Sequence, residues 1–331
     1  MPFHVQALMA MDKRTMAPPI ADTATPMRQH MTEYIRHLQD TIVAALEALD
    51  PSAPKFKQNT WTRDEGGGGR SCTLGRSGAD SVLEKAAVNI SMIHGTLAPP
   101  AIRQMSTEHA NLPSDPSPDT VLPFFAGGIS IIVHPRNPHA PAVHANYRYF
   151  EVASRSDPDA LVDWWFGGVT DLTPAYLYDT DARHFHQTLK RVCDAHGEAL
   201  YPAFKKSCDD YFFIPHRAEH RGVGGIRFDN LSAAPHALLD DATPRPCSAP
   251  AIFALVRALG DAFLPSYLPL VPLRSTTPYD ASMRRWLLLR RGRSVEFTLV
   301  YERGTHRCCW RLRAHLWRLY LYHCVHVVMH V

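Results

Sequence analysis

Apolar residues recur at three- and four-residue steps from Met31 onward, at Ile35, Leu38, Ile42, Val43, Leu46 and Leu49, and Pro51 ends the run. That period marks one face of an α-helix. Phe56 to Asp64, with Trp61, then leads into four glycines, Gly66 to Gly69. Such a run is either a linker or a place where the backbone must come close to something. No Gly-Lys-Ser/Thr follows, so it is not a phosphate loop. Ala87 to His94 alternates as a strand with Asn89, Ser91 and Ile93 on its second face, and the polar, proline-rich residues 96–120 predict a long surface loop. Ile129 to His134 reads as a strand with Ser130, Ile132 and His134 on one face. Ala142 to Glu151 reads as its partner, with His144, Asn146, Arg148 and Phe150 on one face and Tyr147 and Tyr149 on the other. Further on, the pattern predicts helices over Asp179–His196, Gly197–Phe213 and Ala251–Pro265, a short strand after Gly224-Gly225, and a loop over Pro235–Pro250. The basic stretch Arg284–Arg293 feeds a predicted strand, Ser294–Tyr301, with Val295, Phe297 and Leu299 on one face.

The paired strands carry the chemistry. One face offers Ser130, His134, His144, Asn146 and Arg148: a hydroxyl, two imidazoles, a carboxamide and a guanidinium. Together they form a donor set for an anionic, oxygen-rich ligand. A solvated sheet face is the alternative reading. Asp171 follows three aromatic residues and a glycine pair in Trp164-Trp-Phe-Gly-Gly-Val-Thr-Asp. A carboxylate beside that much apolar surface needs a partner or a chemical task.

Composition narrows the class. Across 331 residues, 45% are hydrophobic and 20% charged, and the formal net charge of +3 is too small to argue for a nucleic-acid partner. Seven cysteines form no Cys-x-x-Cys pair, which fits a reducing compartment and a cytoplasmic location. No stretch approaches the roughly 20 apolar residues of a membrane span. Residues 1–30 lack the apolar core of a secretory signal and are expected to be a flexible tail. Residues 306–331 contain no Asp or Glu and crowd together Cys, His, Arg, Trp and Val without cap or period, the character of a shifted reading frame.

An ordered set of motifs resembles the oxygen-dependent coproporphyrinogen III oxidases of haem biosynthesis over roughly residues 31–305. The matching segments include Gly66-Gly-Gly-Gly-Arg-Ser-Cys, Leu83-Glu-Lys-Ala-Ala-Val-Asn-Ile-Ser-Met-Ile-His-Gly, Val133-His-Pro-Arg-Asn-Pro, Val143-His-Ala-Asn-Tyr-Arg and Trp164-Trp-Phe-Gly-Gly. Asp171-Leu-Thr-Pro, Lys205-Lys-Ser-Cys-Asp-Asp-Tyr-Phe, Arg221-Gly-Val-Gly-Gly-Ile and Arg291-Gly-Arg-Ser-Val-Glu-Phe continue the series. The resemblance implies an α+β fold, a large antiparallel sheet flanked by helices on both sides, in a homodimer. It implies that two propionates of coproporphyrinogen III become vinyl groups, each at the expense of one O₂, with no organic cofactor. It places Ser130, Asn146, Tyr147 and Arg148 at substrate-binding positions and His144 at the proton donor. Asp171 and Arg303 match residues that grip pyrrole nitrogens and a propionate. His134, His144, His186 and His216 fall where some bacterial members are assigned a divalent metal. A mitochondrial intermembrane-space location is the alternative to the cytoplasm. Val169 and Glu302 depart mildly from the family pattern, and no family-like substrate loop follows Thr305. That loss makes a porphyrinogen-binding protein without turnover the alternative function.

Overall fold

The computed structural model describes residues 25–302, apart from 52, 76, 77, 79, 158, 241 and 242. Residues 1–24 of the tail expected over 1–30, the tail 306–331, and Arg303 lie outside the described residues, whereas Met27 to His30 are helical rather than a flexible tail.

The first helix, α1 (Met27–Ala48), begins four residues before the predicted start and buries Met31, Ile35, Leu38, Ile42 and Leu46, its periodic apolar stripe. Two long-range contacts fix it. Tyr34 donates to Arg257 O at 2.8 Å, and the fully buried Gln39 amide donates to Arg70 O and Val88 O at 2.9 and 2.6 Å. Strands β1 (Lys57–Thr62), β2 (Gly67–Leu74) and β3 (Leu83–Leu97) follow, then the short helix α2 (Pro99–Met105). Next come β4 (Leu122–Pro135), β5 (Ala142–Ala153) and β6 (Leu161–Thr173). Helices α3 (Asp179–His196) and α4 (Leu200–Phe212) lead through the short pair β7 (Phe213–Ile214) and β8 (Glu219–His220) to β9 (Gly224–Leu231). The chain continues into α5 (Ala249–Asp261), α6 (Phe263–Tyr267), α7 (Leu270–Ser275) and α8 (Ala281–Val300). Seven strands form one sheet in the order β1-β2-β3-β4-β5-β6-β9, every pair antiparallel. This is the expected α+β architecture.

The two sheet faces differ. One carries Ile129, Ile131, Val133, Val143, Ala145, Tyr147, Tyr149, Phe166 and Phe228 into the main core with the apolar sides of α1, α3 and α5. Among the described residues, the other is covered only at its ends. At one end α2 and the segment after it close over Phe124, Val152 and Trp165, with Leu97, Ile102 and Leu112 filling the gap. His109 stacks on Trp165 at 3.6 Å there. Residues 96–120 are therefore not a bare surface loop, because their few apolar side chains are enough to build this small second core. At the other end Phe212, Ile214 and Phe297 pack over Val169.

The alternatives left open for the glycine run resolve, and one predicted strand is a helix. The four glycines are not a linker: three of them open β2, and a Cβ at Gly69 would lie 2.5 Å from the Trp61 ring. Close approach of β1 demands the missing side chains. The predicted strand Ser294–Tyr301 is the last part of helix α8, which starts where Asp280 accepts from the backbone N–H groups of Ser282 and Met283. Of its alternating apolar residues only Phe297 is buried, while Leu299 is 42% exposed. Finally, Ala249–Ser275 has the length and mean hydropathy of a membrane span, yet it is divided among α5, α6 and α7 and 61% of its most apolar window is buried. It is core.

Candidate active site

Register assembles the donor face. Ser130 lies opposite Asn146, Ile132 opposite His144, and Gly128 opposite Arg148, so β4 and β5 present these side chains to one surface. Across the next ladders, His144 faces Asp171 and Arg148 faces Gly167, while Asn89 faces Ser130 and Lys85 faces His134. The predicted residues Ser130, His134, His144, Asn146, Arg148 and Asp171 therefore share one sheet face, between its two covered ends. Tyr147 is the exception. Its side chain is fully buried on the opposite face, bonded to Thr170 Oγ1 and donating to Leu259 O at 3.1 Å. Strand alternation sends it into the core, so it cannot bind a ligand through its ring.

Asp171 is 1% exposed and held from two sides. Its Oδ1 is 2.9 Å from His144 Nδ1, and its Oδ2 accepts from Arg221 at 2.5 Å, with Thr173 Oγ1 at 3.5 Å. Burial pushes its pKa up, but the Arg221 charge and the His144 hydrogen bond outweigh burial and hold it below the ordinary carboxylate value. Ionised Asp171 fixes Nδ1 of His144 as the donor, which leaves Nε2 as the atom available to a ligand. Arg221 is itself pressed against Phe212, 3.7 Å from the ring centroid, with Phe297 of α8 at 5.3 Å. Glu302 sits near the same group. Burial raises its pKa against the opposing pull of His144 and Arg221.

Arg148 lies further along the face. It pairs with Asp229 at 2.6 Å and donates to Asn146 Oδ1 at 3.1 Å, while Asn146 donates to Ile129 O at 3.1 Å. The guanidinium lies flat over Gly167, where a Cβ would approach it to 2.7 Å. Asp229 is partly buried, which pushes its pKa up, yet Arg148 and Arg227 hold it below its ordinary value.

The four histidines do not form a metal centre. His186 uses both ring nitrogens, to Val223 O at 3.1 Å and Tyr201 Oη at 3.0 Å. His216 does the same, to Tyr301 Oη at 2.6 Å and Glu296 Oε1 at 2.5 Å. Nδ1 of His134 is shut off from solvent without a partner, and burial among the charges of Arg291 and Lys85 lowers its pKa to about 3. Among the described residues no three His, Cys, Asp or Glu side chains are grouped to hold an ion. His186 and His216 each commit both ring nitrogens to separate local contacts and His144 commits Nδ1 to Asp171, so the set does not fit the ion.

Sequence reasoning missed Arg221, Arg227 and Asp229 as site residues. The signal for two of them was present, since alternation in Gly-Ile-Arg-Phe-Asp puts Arg227 and Asp229 on one face of β9. Arg221 gave no local signal, because its partner Asp171 lies 50 residues away.

An α+β protein that gathers these cations, hydrogen-bond donors and one clamped carboxylate on a single sheet face has the donor set of a site for an anionic ligand. Comparison with known proteins agrees. The family model for coproporphyrinogen III oxidase matches residues 30–309. The chain is 47% identical over 298 residues to the oxygen-dependent coproporphyrinogen-III oxidase of Drosophila melanogaster, covering 88% of this chain and 70% of that protein. It is 44% identical over 286 residues to the chloroplastic enzyme of Glycine max, covering 86% of this chain and 69% of that protein. It is 45% identical over 296 residues to the mitochondrial enzyme of Homo sapiens, covering 88% of this chain and 60% of that protein. The chain belongs to the coproporphyrinogen III oxidase family.

Proposed function

We propose that the protein is an oxygen-dependent coproporphyrinogen III oxidase. It converts two propionates of the substrate to vinyl groups and gives protoporphyrinogen IX. In each round a –CH₂CH₂COOH arm and one O₂ become –CH=CH₂, CO₂ and H₂O₂, which balances atoms and electrons. The observation that carries this reading is the buried, ionised Asp171 between His144 and Arg221.

A porphyrinogen has pyrrole N–H donors at its centre and four carboxylates at its rim. Asp171 retains lone pairs beyond those used by His144 and Arg221, and in a water-poor site they accept from pyrrole N–H. That contact raises the electron density of the ring, whose own electrons reduce O₂. The resulting peroxide takes hydrogen from the propionate as CO₂ leaves. Arg148 holds a rim carboxylate in a planar fork, exchanging Asp229 for the substrate, and the His144 ring is placed to pass a proton through Nε2. Orientation and fixed charge are the protein's contribution, so no redox side chain is needed.

The decisive measurement is aerobic incubation of purified protein with coproporphyrinogen III, following porphyrin products and H₂O₂. Two vinyl groups and two H₂O₂ per substrate are expected. Binding without product identifies a porphyrinogen-binding protein instead. The reading carries with it a homodimer, which sedimentation of the same preparation tests.

A further inference from the structure

The end of the site face beyond Asp171 is strongly cationic, and the reaction as proposed assigns it no task. Lys85 and His134 stand side by side across β3 and β4. Arg284 and Arg291 of α8 reach this end and share Glu84, at 2.6 and 2.5 Å. Arg291 also donates to Pro135 O at 2.7 Å, and Arg284 to Arg136 O at 3.0 Å. The charges acting on the His134 ring are Arg291, Lys85, Glu84 and Arg221. Glu84 and Asp171 are both already held by guanidinium groups, so the end keeps an excess of positive charge. His134 is largely buried, and its Nδ1 is out of solvent and without a hydrogen-bond partner.

That combination fixes the tautomer. A buried N–H without an acceptor, surrounded by cations, is the costlier arrangement, whereas an unshared lone pair in the same place is favoured by those cations. The proton therefore sits on Nε2. We propose that His134 Nε2–H, with Lys85 beside it, forms a second carboxylate subsite that holds a propionate of the substrate at the opposite end from Arg148. The spacing suits this. Arg148 is level with Gly128 on β4, and from there to His134 is six residues, roughly 20 Å of strand at about 3.3 Å per residue. Arg148 turns back along β5 to Asn146, which shortens that gap toward the span of a tetrapyrrole with its arms.

The inference rests on the proposed substrate, and its test separates the two. The probes are coproporphyrin III, a stable tetracarboxylate, and its tetramethyl ester, titrated by fluorescence quenching against the parent chain, His134→Leu, His134→Gln and Lys85→Met. If the parent does not bind coproporphyrin III, the functional reading itself fails. With a binding parent, His134→Leu is expected to weaken the tetracarboxylate about ten- to a hundred-fold, the range of one charge-assisted hydrogen bond. His134→Gln, which restores an N–H donor, is expected to recover most of that loss, and Lys85→Met to weaken binding less than His134→Leu. The ester should bind all four proteins alike. Equal tetracarboxylate binding by parent, His134→Leu and Lys85→Met overturns the subsite, as does an equal loss for acid and ester.

Discussion

Substituting Asp171 separates two effects that one side chain combines. Asp171→Asn keeps the shape and removes the charge, and vinyl formation is expected to fall at least about a hundred-fold while the protein stays folded, since an electrostatic acceptor is lost in a buried site. Asp171→Ala goes further. It leaves the Arg221 side chain, only 10% exposed, without its carboxylate, and breaking a buried pair costs about 3–5 kcal/mol. Urea denaturation of the two variants should therefore differ even where both are inactive; equal stability would mean that the Arg221 pair contributes little. Arg148 is tested from both sides. Arg148→Lys replaces a planar fork by a point charge, and Gly167→Ala pushes a methyl group to 2.7 Å from the same guanidinium. Both should raise KM more than they lower kcat, and an unchanged KM in both would remove Arg148 from carboxylate binding. Much of this site was legible in advance, because period-two alternation alone places Ser130, His134, His144, Asn146 and Arg148 together. The same rule puts the Tyr147 ring on the opposite face, where family resemblance implied a substrate contact. The clamp on Asp171 was not legible, because nothing local in the sequence links it to Arg221.

The elements show where pattern reading fails. Val295, Phe297 and Leu299 alternate like a strand, but eight residues are too few to tell a strand from a partly exposed helix. The signals that decide α8 lie elsewhere: Asp280 as its cap, and arginines whose acceptors belong to distant strands. Glu84 on β3 is the main anchor, through Arg284 and Arg291. Burial works against ionised Glu84, but the hydrogen bonds and charges of Arg284 and Arg291 lower its pKa to about 2 from an ordinary 4.5. A depressed carboxylate stabilises the fold fully above its unfolded value and loses that contribution as pH falls through the folded one. Here the window runs from 4.5 down to about 2, and the contribution is on the order of 3 kcal/mol. Glu84→Gln should lower stability at pH 7 and flatten the acid limb of the stability curve within that window. An acid limb unchanged in slope would show that other carboxylates account for it. The same variant should speed hydrogen exchange in α8, which covers the Arg221 end of the site, while α1 stays protected.

Across the whole molecule, the sheet divides the histidines that resemblance grouped. His134 and His144 stand on the site face, on β4 and β5. His186 is on α3, whose Phe185 and Leu189 belong to the main core behind the sheet, and it meets the start of β9 through Val223 O. His216 follows β7 and is tied to Glu296 and Tyr301 near the end of α8. Gathering all four round one ion would require breaking both hydrogen bonds of His186 and of His216, freeing His144 from Asp171, and turning His134 so that a nitrogen faces the ion. Each broken bond between neutral groups costs roughly 0.5–1.5 kcal/mol and each bond to a carboxylate roughly 1.5–3 kcal/mol, and releasing His144 also removes a partner from the buried Asp171. A divalent ion must offset that sum with no carboxylate ligand, although iron and manganese sites of the oxygenase type use one beside their histidines. Turnover is therefore expected to survive extensive treatment with a strong chelator, at the rate of untreated protein and with the same yield of vinyl groups. His186→Asn and His216→Asn should likewise lower thermal stability through lost packing and hydrogen bonds, with no change in the metal content of the purified chain. A loss of rate on chelation that Mn²⁺ or Fe²⁺ restores, and that His186→Asn abolishes, would show that these helices and strands rearrange round an ion during the reaction.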